Sequence, residues 1–190
     1  MRTLIVSLLA LGSLLSAAQA PQQPKAQPKQ PAKAFSILRT DNQPPISLAS
    51  YRGKVVMLIF ISTTCPHCQE FTKELVPIAN DYSPRGVQFV ECAVNGGAAE
   101  SVPGFVRQFK PPFPVGYNTQ AVVDEYLQRT ALQTFYVPHA VFLNRVGKIV
   151  GDYPGESDFM KNPATNTRAE LDKMLKPAAP AGKKAPTPAP

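Results

Sequence analysis

Residues 55 to 71 read VVMLIFISTTCPHCQEF and join a continuous apolar run to a pair of cysteines. The run Val55–Ile61 is rich in β-branched residues and follows a turn at Arg52-Gly53, which predicts a buried central strand. From Cys68 onward the apolar residues change to the spacing of a helix, at Phe71, Leu75, Ile78, Ala79 and Tyr82. The two cysteines therefore stand at the junction of a strand and a helix.

The proline between the cysteines indicates where that helix begins. Pro66 stands at the expected first helical position, where a missing N–H costs nothing. Cys65 is then the N-cap, facing the free N–H groups and the positive end of the helix dipole, which stabilise a thiolate. Cys68 follows one turn later on the same face. We expect Cys65 to be the exposed nucleophile and Cys68 the resolving thiol, with Pro66 and His67 tuning the ionisation of the pair.

The rest of the chain alternates strand and helix patterns. Further elements are predicted as a strand at 87–94, a helix at 98–109, a short strand at 115–117, a helix at 122–127, a hairpin of 140–143 with 148–153, and a last helix at 167–175 capped by Thr165 or Asn166. This order predicts one α/β domain with a mixed sheet covered by helices on both faces.

The two ends of the chain differ from the middle in composition. Residues 1–20 combine Arg2, an apolar run and small residues, the layout of a secretory signal peptide, and we expect cleavage after Ala18. An uncleaved segment would act as a tether. Residues 21–34, made of Pro, Gln, Lys and Ala, are predicted to be a linker, and the Pro/Ala/Lys-rich residues 177–190 a disordered tail. Residues 35–176 then form the single folded domain.

The net charge of +7 does not belong to the predicted domain. Residues 35 to 175 hold thirteen Lys and Arg and thirteen Asp and Glu, so the excess lies in the terminal segments. A nucleic-acid-binding domain carries positive charge on its own surface, so we expect no nucleic acid partner. The basic tails suit at most a weak contact with an anionic membrane. Export predicts a periplasmic location, where disulfides persist.

Five segments together resemble one known family. They are FSILRTDNQPPISLASYRGK (35–54), GKVVMLIFISTTCPHCQEF (53–71), FVECAV (89–94), FPVGYNTQAVVDEY (113–126) and YVPHAVFLNRVGKIVGDYPG (136–155). These segments are similar to the exported TlpA/ResA-type thiol-disulfide oxidoreductases of the thioredoxin-like superfamily. The resemblance implies a thioredoxin-like fold with an extra N-terminal β-hairpin, and disulfide exchange with protein substrates without a cofactor. It also implies a membrane redox partner that resets the cysteines, and a cis Pro138 that with Val137 docks the substrate.

Some residues depart from that family's pattern. Thr64 stands where the family has a tryptophan. Ile59 and Phe71 occupy positions where related proteins carry an acid that accepts the proton of the second thiol. The absence of these acids puts efficient reductase activity in doubt. The Cys-Pro-His-Cys motif itself resembles the oxidising DsbA type, so the direction of exchange stays open.

Two other functions remain alternatives. A copper-delivery module of the Sco type would use Cys65, Cys68 and His139 as Cu(I) ligands. A peroxiredoxin-like thiol peroxidase is favoured by Ser62, three residues before Cys65, but the upstream proline of that chemistry is missing. The third cysteine, Cys92, lies within a predicted strand, where we expect a small buried apolar side chain.

Overall fold

The computed structural model describes residues 34–130 and 132–176. The predicted signal peptide, the predicted tail and all of the predicted linker except residue 34 lie outside these residues, so those assignments stay predictions. Within the described ranges, no helix combines the length and the apolar character needed to cross a membrane.

Seven strands and four helices make up the described part of the chain. The strands are β1 (Ser36–Ile37), β2 (Ile46–Ser47), β3 (Val55–Ile61), β4 (Val87–Ala93), β5 (Val115–Tyr117), β6 (His139–Leu143) and β7 (Ile149–Tyr153). The helices are α1 (Pro66–Tyr82), α2 (Ala98–Phe109), α3 (Gln120–Leu127) and α4 (Pro163–Leu175). The main sheet has the strand order β5-β4-β3-β6-β7, while β1 and β2 form a separate hairpin. β3, β4 and β5 run parallel, and β6 is antiparallel to β3 and β7, which confirms the mixed sheet.

The central strand β3 is buried along its whole length, as its apolar sequence predicts. Successive side chains of a strand point to opposite faces. On one face, Met57 and Ile59 pack with α1, α2 and α4. On the other face, Leu58 and Phe60 pack with α3 and the N-terminal hairpin. The sheet is therefore covered on both sides.

The predicted start of the last helix is wrong. α4 begins at Pro163 with Asn162 as its N-cap, four residues before the predicted start. Proline suits the first position of a helix because its missing N–H is not needed there. Asn166, one of the two predicted caps, lies inside α4, and its amide donates to the carbonyl oxygen of Phe159 at 2.9 Å.

Candidate functional site

The cysteine pair lies at the carboxyl end of β3, where the chain enters α1. Cys65 is the N-cap residue of α1, with extended φ and ψ of −80° and 120°, and Pro66 begins the helix as predicted. Cys65 is partly exposed, whereas Cys68 is fully buried. Both thiols are free, and Cys65 is near enough to Cys68 to influence its ionisation. The geometry is that of a dithiol with one accessible and one protected sulfur.

The buried thiol is held in its protonated form. Burial raises the pKa of Cys68, and the backbone N–H of Ser62, which lies 3.4 Å from its Sγ, offsets this only in part. The neighbouring Cys65 and the carboxyl of Glu91 raise the pKa of Cys68 further. Cys68 needs a proton acceptor before it can attack a disulfide, because the thiolate is the reactive species.

Glu91, a residue that the sequence analysis did not select, lies on the same side of the sheet as Cys68. It is fully buried on β4, directly opposite Ile59 of β3, so its side chain points toward α1. Its carboxyl Oε1 lies 2.8 Å from the hydroxyl of Thr72, and Oε2 has no hydrogen-bond partner. Burial raises the pKa of Glu91 to about 8, against the opposing effect of the Thr72 contact.

The contacts of Thr72 agree with a protonated Glu91. The Thr72 hydroxyl lies 2.9 Å from the carbonyl oxygen of Cys68 as well as 2.8 Å from Glu91. A hydroxyl has a single proton, and a carbonyl oxygen only accepts. Both contacts are therefore satisfied together when Thr72 donates to Cys68 and a protonated Glu91 donates to Thr72. A carboxyl, a hydroxyl and the backbone of the resolving cysteine form one continuous hydrogen-bonded chain.

A buried acid near Cys68 comes from a strand that the sequence analysis did not consider for this role. Ile59 occupies the position in β3 where related proteins carry an acid. Glu91 of the neighbouring strand β4 is paired directly with Ile59. The signal in the sequence was a single carboxylate inside the apolar stretch VQFVECA. Its meaning depends on the register between β3 and β4, which the sequence does not reveal.

Polar contacts hold the loop that precedes Cys65. The backbone N–H of Thr63 donates to Asn95 Oδ1 at 3.0 Å, and the Thr63 hydroxyl lies 2.8 Å from that of Ser101 in α2. The amide of Gln69 donates to the carbonyl oxygen of Thr63 at 2.8 Å. The loop is thus tied to both α1 and α2, which sets the position of Cys65 relative to the sheet.

A groove of about 350 Å³ lies beside the cysteine pair. Its lining residues come from α1 and from the chain around β6 and α4: His67, Glu70, Phe71, Glu74, Val137, Pro138, Gly155, Met160 and Pro163. The Val137-Pro138 bond is cis, as the resemblance implies. The structure therefore brings together the predicted tuning residue His67 and the predicted docking residues Val137 and Pro138.

His139 and Cys92 lie on the opposite face of the sheet from Cys68. Both are paired with Phe60 in the register of β3, and all three are fully or almost fully buried. His139 Nε2 lies 2.5 Å from Asp152 Oδ1, and its ring stacks on Phe135 at 5.2 Å. The structure does not bring His139 to the cysteine pair. Among the described residues, no group of three or more His, Cys, Asp or Glu side chains is arranged to hold a metal ion.

The sequence of this chain is similar to one protein family and to relatives within it. The profile of the AhpC/TSA family matches residues 28–151, about two thirds of the chain. The chain belongs to the AhpC/TSA family. As a member of this family it is 30% identical over 115 residues to the thiol-disulfide oxidoreductase ResA of Halalkalibacterium halodurans, an alignment that covers 58% of this chain and 59% of ResA. It is 28% identical over 122 residues to the protein DipZ of Mycobacterium tuberculosis, covering 64% of this chain but only 17% of DipZ.

The fold of this chain is similar to those of several solved structures. A candidate thioredoxin from Neisseria meningitidis is 28% identical, with a TM-score of 0.61, and the match covers 80% of this chain and 93% of that one. A thiol:disulfide interchange protein from Chlorobium tepidum is 23% identical with a TM-score of 0.61, covering 77% and 99% of the two chains. These similarities confirm the predicted thioredoxin-like fold.

Proposed function

We propose that this chain is an exported thiol-disulfide oxidoreductase that reduces disulfide bonds of protein substrates. One observation carries the proposal: an accessible Cys65 and a buried Cys68 lie one turn apart at the start of a helix, beside a groove lined by His67, Val137 and Pro138. The name of the relative ResA, a thiol-disulfide oxidoreductase, supports the same chemistry.

The reaction takes two exchange steps. The Cys65 thiolate attacks one sulfur of a substrate disulfide in the groove; that bond breaks, a mixed disulfide forms, and the first substrate thiolate leaves. Cys68 then gives up its proton and attacks the Sγ of Cys65. The mixed disulfide breaks, the second substrate thiolate leaves, and a Cys65–Cys68 disulfide remains. Two electrons have passed to the substrate, and its two sulfurs take up two protons.

Glu91 is the group that we assign as proton acceptor for the second step. It is buried on the Cys68 side of the sheet and interacts electrostatically with that thiol. With a pKa of about 8, a fraction of the molecules carry Glu91 ionised at neutral pH. When Glu91 ionises, the Thr72 hydroxyl turns its proton to the carboxylate. The site thus holds a base in reserve that is weakly solvated and close to the thiol that must ionise.

The surroundings of Cys68 suit a reductase. A strongly oxidising pair such as that of DsbA stabilises its reduced form. Burial keeps the Cys68 thiol protonated, so this sulfur adds no stabilised thiolate to the reduced form. The buried acid beside it instead serves the step in which a reductase resolves its mixed disulfide. We therefore assign the reducing direction in spite of the Cys-Pro-His-Cys motif.

The proposed setting follows from the N-terminal sequence. Residues 1–20 have the signal-peptide layout that predicts passage into the periplasm, where substrate disulfides occur. A reductase in that compartment needs a supply of electrons, so the proposal includes a membrane partner that returns the Cys65–Cys68 disulfide to the dithiol. No cofactor enters the proposed steps.

Cysteine substitutions test the proposal in an insulin-reduction assay on the mature chain. Cys65→Ser is expected to abolish activity, because the other two cysteines, Cys68 and Cys92, are buried. Cys68→Ser is expected to accumulate the mixed disulfide, detectable by intact mass. Cys92→Ala is the matched control and is expected to retain activity, since that thiol lies on the other face of the sheet. Undiminished activity in Cys65→Ser would reject the proposed function.

The direction of exchange is tested by equilibrium with glutathione in the Cys92→Ala background. Alkylation followed by mass analysis measures the fraction of dithiol. We expect a reduction potential nearer to that of thioredoxin, about −270 mV, than to that of DsbA, about −120 mV. A potential near the DsbA value would assign the chain to disulfide donation instead.

A further inference from the structure

The groove beside the cysteine pair is acidic as well as apolar. Along α1, four lining residues fall on one stripe of the helix at positions i, i+3, i+4 and i+7: His67, Glu70, Phe71 and Glu74. The opposite wall is apolar, with Val137, Pro138 and Met160. No lysine or arginine is among the lining residues. Two glutamates therefore line an apolar cleft together with His67, the residue just before Cys68.

The side chain of Glu74 lacks a partner that would stabilise its negative charge. Its Oε2 is buried and has no hydrogen-bond partner. Burial raises the pKa of Glu74, and the like charge of Glu70 raises it further. Two like charges at positions i and i+4 of a helix destabilise it slightly. A cation placed in the groove would relieve both effects.

Among the described residues, Lys73 pairs with Glu70, while Glu74 Oε2 has no hydrogen-bond partner. Lys73 Nζ lies 2.9 Å from Glu70 Oε2, and both side chains are more than half exposed, so the pair contributes little and is easily exchanged. Lys73 also lies above the ring of Phe109, on the α2 side of α1. Within the described structure, Glu74 Oε2 is thus available to pair with a cationic group of a bound molecule.

We infer that the groove selects substrate segments that carry a lysine or arginine about three residues from the reacting cysteine. The stripe from His67 to Glu74 is about 10 Å long at 1.5 Å per helical residue. An extended chain covers that distance in about three residues. The substrate's apolar backbone stretch lies against Val137 and Pro138, and its cation reaches Glu70 and Glu74. This inference rests on the proposed function and names its substrate class.

A preference of the groove for cationic peptides can be distinguished from non-specific electrostatic attraction by the distribution of charge along the chain. Residues 35–175 carry equal numbers of acidic and basic side chains, and the positive excess of the terminal segments attracts acidic rather than basic peptides. A preference for basic segments therefore runs against the overall field and must come from a local site.

Peptide mixed disulfides test the inference on the reduced mature chain. Nonapeptides carry one cysteine joined to 5-thio-2-nitrobenzoate, and they differ only in having Lys, Gln or Glu three residues before or after it. Absorbance of the released aromatic thiolate gives the second-order rate constant. At low ionic strength we expect the better-placed Lys peptide to react roughly tenfold faster than its Glu counterpart, and this ratio to shrink in high salt.

Two variants and a matched control locate the preference. In Glu70→Gln/Glu74→Gln the Lys-to-Glu ratio is expected to fall to within about twofold, and in Glu74→Lys to reverse. Glu125→Gln makes the same chemical change on α3, which packs on the other face of the sheet, and is expected to keep the ratio. The Gln peptide measures each variant's intrinsic reactivity, so a folding defect is recognised by loss of that rate as well.

The outcomes separate this inference from the proposed function. If the wild-type chain reacts with all peptides at equal rates, or if the double variant keeps the preference, the groove does not select cations and the inference is overturned while the oxidoreductase stands. If no peptide reacts with the wild-type chain, the proposed function itself fails, and the inference fails with it.

Discussion

Replacing Glu91 by glutamine is expected to stabilise the fold and slow the reaction. Glu91 is fully buried, and its pKa rises from 4.5 to about 8 on folding. Between these pH values the unfolded chain has released a proton that the folded chain retains, so the free energy of unfolding falls as the pH rises. Each pKa unit corresponds to about 1.36 kcal/mol, which makes this loss at most about 3 kcal/mol between pH 4.5 and pH 7.

Glutamine removes that loss because it does not titrate. Its amide is neutral and of similar shape, and it donates to Thr72 as a protonated carboxyl does. The variant is therefore expected to match the wild type at pH 4 and to exceed its unfolding free energy by up to about 3 kcal/mol at pH 7. Urea unfolding of the dithiol forms, followed by far-UV circular dichroism at both pH values, measures the difference.

The same substitution removes the proposed proton acceptor. We expect release of the second substrate thiol to slow by roughly 100-fold, a typical contribution of a general base. The wild-type rate of this step is expected to rise between pH 6 and pH 8 as Glu91 ionises, whereas the variant lacks that rise. Single-turnover reduction of a peptide disulfide, sampled by acid quench and alkylation, isolates the step.

A matched control and two possible results test whether Glu91 is neutral and whether it accepts the proton. Glu125→Gln on α3 is expected to change neither quantity, because that side chain is exposed on the far side of the sheet. Lower stability of Glu91→Gln at pH 7 would contradict a neutral buried carboxyl. An unchanged resolving step with an unchanged pH profile would contradict its role as proton acceptor.

Three further substitutions test the surroundings of the site. Thr72→Val removes the hydroxyl that contacts Glu91 and is expected to cost about 1–3 kcal/mol of unfolding free energy in urea, with a shifted pH profile of the resolving step. Asn95→Ala removes the amide that holds the loop before Cys65 and is expected to lower the rate of mixed-disulfide formation more than that of resolution in stopped-flow assays; equal effects on both steps would contradict this role. Gly116→Ala places a methyl group against the carbonyl oxygen of Leu38 and is expected to destabilise the chain by about 1–3 kcal/mol; an unchanged melting temperature would contradict this expectation.

Local patterns in the sequence were sufficient for the framework of the site. An apolar run enriched in β-branched residues makes Val55–Ile61 a central strand, and a proline at the first helical position makes Cys65 an N-cap, because both effects act within a few residues. The resemblance added the cis Val137-Pro138 bond, which the structure confirms. α4 begins earlier than its apolar spacing predicts, because Pro163 suits the first position of a helix.

The sequence by itself thus determined where the reactive cysteines stand, and the tertiary structure decided what surrounds them. Whether His139 faces the cysteines depends on which face of the sheet its position in β6 presents, and pairing with Phe60 turns it away. Glu91 lies opposite Ile59 only because β3 and β4 pair in that register. The groove needs α1, the Val137-Pro138 segment and α4 together. Strand register and packing join residues that are far apart in the chain, so no pattern within a short stretch of sequence contains them.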